Sequence, residues 1–207
     1  MKKFIALLTI IWCISLVSAQ NFTTVYEWMF EKGLTTMSSE ADFRPNDTVT
    51  RGEISKFFTR FAEVQSMTKV KSASECAFGD LEGYDATLVP TIIEACEYGL
   101  VKGSQWNYFP NKALTEAEAL TVIVRAIMGM QDETKDPWWT EYYEVGKWLS
   151  IIDNEGVRDL NKNALRGKVG IRLWRAAQVD TNAVQQEWTD EVKDVLTEIF
   201  GEEFWNE

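Results

Sequence analysis

The side chains best suited to ligand chemistry in this chain are arginines in the first turn of predicted helices. Arg51 stands in the segment TRGE at 50–53, and Arg166 stands at the same place in LRGK at 165–168. A helix N-terminus favours negative charge, so an arginine there needs another reason. A guanidinium beside exposed helix amides can hold a carboxylate with two hydrogen bonds. We expect Arg51 and Arg166 to contact an anionic ligand.

The same segments have a purely structural interpretation. Thr50 with Glu53, and Thr115 with Glu118, match the capping box that satisfies free amides at a helix start. Capping accounts for both threonines and both glutamates without any ligand. It leaves Arg51 unexplained, although an exposed or ion-paired arginine remains the alternative to a ligand contact.

Aromatic side chains are a second candidate ligand surface, because their faces suit the apolar faces of sugar rings. Trp106 and Tyr108 lie in a polar loop, and Trp138 and Trp139 stand at the start of the helix predicted over 138–149. We expect Trp106, Tyr108 and Trp139 to contact a ligand. Aromatic residues at helical spacing are more typical of a core. The core interpretation is favoured for three other tryptophans, Trp28, Trp148 and Trp174.

Features of common enzymes are absent from the sequence. The chain contains no histidine, the most frequent general base and a frequent metal ligand. The carboxylates of Asp80 and Glu82 have no supporting constellation. The pattern Asp159-x-Asn161-x-Asn163 resembles the start of a calcium loop, but Gly170 stands where the loop needs glutamate. We predict a non-catalytic protein with no cofactor and no metal site.

Charge restricts the partners. The 21 basic and 32 acidic residues give a net charge of −11, which repels nucleic acids and anionic membranes. Neither is an expected partner. An anionic wall polymer would have to be held by a local site, because the overall charge opposes it.

The N-terminus is typical of an exported protein. Lys2 and Lys3 precede an apolar run at 4–16 and small residues at 17–19, the pattern of a signal peptide over residues 1–19. A retained anchor is the alternative, although the run is shorter than the about 20 residues that span a bilayer. We expect a secreted protein of the cell surface or envelope, not inserted in a membrane after cleavage. Export favours a disulfide between Cys76 and Cys96 over two buried thiols.

Three similar segments organise the rest of the chain. Each pairs a loop with a helix start, and Arg60, Arg125 and Arg175 recur at one offset. Helical periodicity and stops such as Gly33 and Gly99 predict an all-α protein of three helix-loop-helix units, at 20–64, 75–129 and 136–178. We expect three helical hairpins packed into one domain. The acidic and apolar residues that alternate over 180–207 predict an acidic amphipathic helix and tail, which caps the bundle or docks another protein.

The chain resembles the surface-layer homology (SLH) family. The similarity rests on GLVKG at 99–103, FPN at 109–111 and the Thr-x-x-Glu pair at 115–118, with matching FRPN at 43–46 and TRGE at 50–53. FGD at 78–80 and DPWW at 136–139 also fit. The resemblance implies a pseudo-threefold bundle that binds a wall-linked, often acidic polysaccharide in grooves between units. It also implies a prominent arginine in each groove.

The sequence departs from that family in two of the three units. Glu116 replaces the arginine in the second unit, and Leu165 and Lys168 replace threonine and glutamate in the third. At most two grooves, those of Arg51 and Arg166, match the pattern. We therefore expect an exported module that binds a cell-wall polysaccharide. The alternative is a protein-interaction module of the envelope whose sugar site has decayed.

Overall fold

The computed structural model describes residues 21–153 and 160–180. Within them the regular structure is helical, and the only extended pairing consists of isolated bridges, so the predicted all-α class is confirmed. The predicted signal peptide and the predicted acidic helix, apart from Asp180, lie outside the described residues. The α-helices are α1 (Phe22–Glu31), α2 (Glu40–Phe43), α3 (Arg51–Val64), α4 (Val89–Glu97), α5 (Glu116–Met128), α6 (Thr140–Trp148) and α7 (Arg166–Ala177).

Local sequence signals set the ends of these helices. Both predicted capping boxes form: the Thr50 hydroxyl accepts from the Glu53 amide at 3.2 Å, and the Glu53 carboxylate accepts from the Thr50 amide at 2.9 Å. Thr115 and Glu118 repeat this arrangement before α5. Gly33 follows α1 with φ 71°, in the left-handed region that favours glycine after a helix. The chain turns there toward the buried Leu34.

A closed ring of backbone hydrogen bonds joins the three units. The first two amides of each long helix donate to carbonyls in the loop of the next unit, at 2.8–2.9 Å. Unit 1 donates to unit 2, unit 2 to unit 3, and unit 3 back to unit 1. The bonds run from Arg51 to Lys112, Gly52 to Pro110, Glu116 to Lys162, Ala117 to Leu160, Arg166 to Asp47 and Gly167 to Pro45. This cyclic pattern makes the bundle pseudo-threefold.

The helices pair between units, which corrects the expected helical hairpins. The most extensive helix contacts join α3 to α4, α5 to α6 and α7 to α1, and α5 also packs on α7. The second helix of each unit therefore packs on the first helix of the following unit. This pairing follows from the ring of backbone hydrogen bonds, because those bonds hold the start of each long helix against the loop of the neighbouring unit. Close approach is visible where a Cβ on Gly146 of α6 would lie 2.8 Å from Leu120 of α5.

The core runs through all three units and contains the predicted disulfide. Cys76 is bonded to Cys96, and both are buried. The bridge fastens the 3₁₀ segment Ala73–Cys76 to α4. Trp28 and Trp174 are partly buried against the core. Trp148 is 46 % exposed, so the core interpretation is wrong for this residue, which ends α6 on the outer side.

Candidate functional site

A groove of about 370 Å³ lies between α3 of unit 1 and α5 of unit 2. The segment 100–104 and the residues before α6 complete its walls. Cationic and carboxylate side chains face it together with aromatic and aliphatic ones. Its lining includes Arg51, Phe58, Lys102, Leu114, Glu118, Thr121, Val122, Arg125, Glu133 and Trp138. We call it the 1–2 groove.

Arg51 lies in the 1–2 groove and ties the two units together. Its Nε donates to the Tyr108 carbonyl at 2.9 Å, and its Nη2 donates to the Lys102 carbonyl at 2.9 Å. Its Nη1 bonds the Glu118 carboxylate at 2.8 Å. A guanidinium has five N–H donors, so these three bonds leave two. Arg51 is both a structural tie and a possible contact for a groove occupant.

Arg166 and Glu116, which occupy the position of Arg51 in the other two units, are buried. Arg166 is 8 % exposed, and its Nη1 donates to the Phe43 carbonyl at 2.8 Å. Glu116 is enclosed and ion-paired with Arg172. Arg166 therefore does not border the 1–2 groove, and Glu116 has a structural partner in place of a ligand. A cavity of about 160 Å³ beside Arg172 contains no contribution from Arg166.

The helix amides that were expected to assist an anion are already bonded. The first two amides of α3 donate to Lys112 and Pro110, and the third donates to the Thr50 hydroxyl. Any anion near Arg51 would thus meet the guanidinium without help from the helix N-terminus. The mid-helix arginines behave as the structural alternative predicted: Arg125 donates to the Leu100 carbonyl at 2.9 Å.

Two of the three predicted aromatic contacts are buried. The Tyr108 hydroxyl meets the Ser55 hydroxyl at 2.8 Å, and burial raises the pKa of the Tyr108 phenol. Trp139 packs edge-on against Tyr143. Tyr108 belongs to the lining of the 1–2 groove, but its ring packs against Phe78 and the Arg51 guanidinium, so neither ring presents an open face to a sugar. The exposed neighbour is Trp138, which is 39 % exposed and lines the 1–2 groove.

Trp106 projects from a strained two-residue hairpin turn beside the groove. Ser104 and Asn107 pair across the turn, and Gln105 and Trp106 between them have φ values of 49° and 66°. Such turns prefer asparagine and glycine because both central residues are left-handed. Trp106 is nevertheless 78 % exposed. A strained residue with an exposed ring is a candidate for function.

Asp80 anchors the chain that follows this hairpin. Its carboxylate accepts from the Tyr108 amide at 2.8 Å and from the Phe109 amide at 2.6 Å. The Gly79 amide donates to the Trp106 carbonyl at 2.8 Å. These bonds hold the backbone of Trp106, while its ring stays free. The carboxylate of Asp80 thus has a structural role.

The charges of the groove are arranged as ion pairs. Lys102 bonds Glu133 at 3.0 Å, and Arg125 bonds the other oxygen of Glu133. Burial raises the pKa of the Glu118 carboxyl, but the Thr115 amide, Arg51 and Lys112 outweigh it and hold that pKa below its usual value. At Glu133, burial likewise raises the pKa of the carboxyl, but hydrogen bonds from Tyr142, Arg125 and Lys102 outweigh it, so that pKa is also lowered. Both carboxylates are therefore charged at neutral pH.

Sequence reasoning left several groove residues out of the expected contacts, among them Lys102, Thr121, Arg125 and Trp138. Lys102 belongs to the GLVKG segment, but that motif does not predict which way the lysine side chain points. Trp138 and Trp139 are adjacent, and the start of α6 at Thr140 decides which ring points inward. Thr121 reads as an ordinary helix residue. A helical projection of α5 would place it with Glu118 and Arg125, at spacings of three and four.

The chain is similar to a surface-layer protein. It is 28 % identical over 149 residues to the "Surface-layer 125 kDa protein" of Lysinibacillus sphaericus, a match that takes in 66 % of this chain and 12 % of that relative. The match thus spans about one eighth of the relative's length. No protein-family model matches the chain. Among the described helices, none is long and apolar enough to cross a bilayer.

Proposed function

We propose that this protein is an exported, non-catalytic module of the cell envelope that binds an acidic wall polysaccharide in the 1–2 groove. The likeness to a surface-layer protein supports an envelope role at the cell surface. The observation that carries the proposal is the combination of Arg51, Lys102 and the exposed ring of Trp138 in one groove. On a chain of net charge −11, such a local cluster is the arrangement that an anionic polymer needs.

Lys102 is the cation that a ligand reaches most easily. Its side chain is 44 % exposed, and its pair with Glu133 lies at the groove surface. Exposed ion pairs contribute about 0–1 kcal/mol, so a ligand carboxylate can share or replace Glu133 at little cost. The two remaining N–H groups of Arg51 would give the same carboxylate a second contact.

Exposed tryptophans supply the apolar part of the proposed site. Trp138 flanks the groove, and Trp106 extends from the hairpin whose Ser104 lines it. A polymer has successive rings, so one ring can stack on Trp138 and another on Trp106. Arg166 and Trp139 are left out of the proposed contacts because their side chains are buried and do not line the groove. Tyr108 is left out because its ring is covered and its hydroxyl is already bonded to Ser55 and to the Arg51 carbonyl.

A second candidate function is a protein-interaction module with a decayed sugar site. It is favoured by the pairing of groove cations with the protein's own carboxylates: Glu118 bonds Arg51, and Glu133 bonds Arg125 and Lys102. An anionic sugar must compete with these partners. A partner protein could instead use the exposed Trp106 or the predicted acidic helix beyond residue 180.

Co-sedimentation with purified envelope sacculi, before and after removal of wall polysaccharide, tests the proposal. The protein is residues 20–207. Lys102→Ala is compared with Lys69→Ala, because both lysines are 44 % exposed and ion-paired with glutamate, while Lys69 lies outside the groove. We expect binding to require the polysaccharide and Lys102→Ala to weaken it about tenfold, or about 1.4 kcal/mol. Lys69→Ala should bind like the native protein.

Two results would contradict the polysaccharide proposal. Binding that survives removal of the polysaccharide would favour a protein partner in the envelope. Equal losses in Lys102→Ala and Lys69→Ala would mean that general charge, and not the 1–2 groove, governs sedimentation. Thermal midpoints of the variants serve as the control for folding.

A further inference from the structure

Thr121 carries a buried hydroxyl that is not used by any of the residues that the structure describes. The residue is 2 % exposed, and its Oγ1 has no hydrogen-bond partner within the described residues. Thr121 also borders the 1–2 groove. Leaving a buried hydroxyl unpaired is unfavourable. A group that enters the groove could satisfy it.

The other units show that the helix itself does not need this hydroxyl. Thr121 is the sixth residue of α5, and the sixth residues of α3 and α7 are Lys56 and Ile171. The ring of hydrogen bonds fixes this register, because it begins at the first residue of all three helices. Ile171 borders the cavity of about 160 Å³ beside Arg172, whose lining residues all belong to unit 3. The fold thus accepts an apolar side chain at this position.

The surroundings of Thr121 define the chemical class of its partner. Phe58, Leu114 and Val122 add apolar lining, and the groove's cations are balanced in part by Glu118 and Glu133. A small dianion would meet little net positive charge there, since Arg51, Lys102 and Arg125 face these two carboxylates. A sugar ring fits better, because its C–H face meets apolar groups while its hydroxyls exchange hydrogen bonds with neutral ones.

We infer that Thr121 is a specificity-determining residue that hydrogen-bonds a ring hydroxyl of the bound polysaccharide at the base of the 1–2 groove. This inference rests on the proposed function and adds the group that recognises an uncharged part of the ligand. Sites built to hydrogen-bond a ligand hydroxyl discriminate strongly against a ligand that lacks it, because the protein group is then left unpaired. Lys102 would select for charge and Thr121 for the hydroxyl.

The experiment compares Thr121→Val with Thr121→Ser in the sacculus assay. Valine keeps the shape of threonine and removes the hydroxyl, whereas serine keeps the hydroxyl. We expect Thr121→Val to bind about tenfold more weakly, and Thr121→Ser to recover most of that loss. The thermal midpoint of free Thr121→Val should equal or exceed that of the native protein, since an unpaired hydroxyl is removed.

The outcomes separate this inference from the function on which it rests. If Thr121→Val binds as well as the native protein while Lys102→Ala binds weakly, the role of Thr121 is refuted and the groove remains. A lowered thermal midpoint in Thr121→Val would show a structural hydroxyl and also refute it. If the native protein itself fails to bind polysaccharide, both proposals fall.

Discussion

Replacing Trp106 with glycine should make the fold more stable and the proposed binding weaker. Trp106 has φ 66° and is 78 % exposed, so its ring contributes little burial while its backbone is strained. A left-handed conformation costs a residue with a side chain about 1–2 kcal/mol. The greater unfolded-state entropy of glycine offsets about 0.5–1 kcal/mol of that gain. The net stabilisation is about 0.5–1 kcal/mol.

The assay for this prediction combines urea unfolding with thermal melting. At this chain size, a gain of 0.5–1 kcal/mol corresponds to a rise of about 1–4 °C in Tm. In the sacculus assay, the lost ring should weaken binding by roughly 5- to 30-fold, since a tryptophan anchor is worth on the order of 1–2 kcal/mol. Stability and binding should therefore move in opposite directions.

Two control variants separate the ring from the backbone. Trp106→Ala removes the ring but keeps a side chain in the strained turn, so it should lose binding without the gain in stability. Trp148→Ala removes a tryptophan of 46 % exposure from α6, outside the groove lining, and should bind normally. A Trp106→Gly protein that is less stable than the native one would refute the strain argument. Unchanged binding would remove Trp106 from the site.

Three further predictions concern the fold and its charges. Gly167→Ala should lower the free energy of unfolding, measured in urea, by about 1–3 kcal/mol, because the new Cβ would lie 2.7 Å from the Cβ of Pro45. An unchanged free energy would mean that units 3 and 1 are not tightly packed at this contact. Replacing Cys76 and Cys96 together by alanine should cost about 3 kcal/mol, since the bridge closes a separation of 20 residues; an equal midpoint for native and variant in non-reducing urea would contradict this. The pKa of Glu118 is lowered in the fold, so its contribution to stability is present above the unfolded pKa of about 4.3 and disappears as the pH falls through the lower folded pKa. The difference in unfolding free energy between the native protein and Glu118→Gln should therefore shrink below about pH 4. A difference that stays constant with pH would refute the ion pair.

The helical class and the helix starts could be predicted from sequence because they depend on local signals. The capping box at Thr50 and the stop at Gly33 each involve residues close in the chain. The pairing of helices could not be predicted in the same way. A helix-loop-helix pattern is identical whether its helices pack on each other or on those of neighbouring units. The ring of bonds from Arg51 to Lys112 and its equivalents decides this, and those bonds join residues far apart in sequence.

The candidate site was predictable only in part for a similar reason. The position of Arg51 at a boundary between units follows from the repeat pattern. The sequence could not show that Tyr108 would turn its ring inward to meet Ser55, or that Trp138 would be the exposed member of its pair. Thr121 is recognisable only once the packing reveals that its hydroxyl is buried without a partner.

The ring of three units has a consequence for the connectivity of the chain. The contact between α7 and α1 joins helices that no short connecting segment links, whereas residues 129–139 connect α5 to α6, which form the equivalent contact between units 2 and 3. A peptide of similar length from residue 180 to residue 21 should therefore close the circle, and new ends could be opened within 129–135. Such a circular permutant should keep the native helix content, because the order in which the units are synthesised is not what arranges them in space.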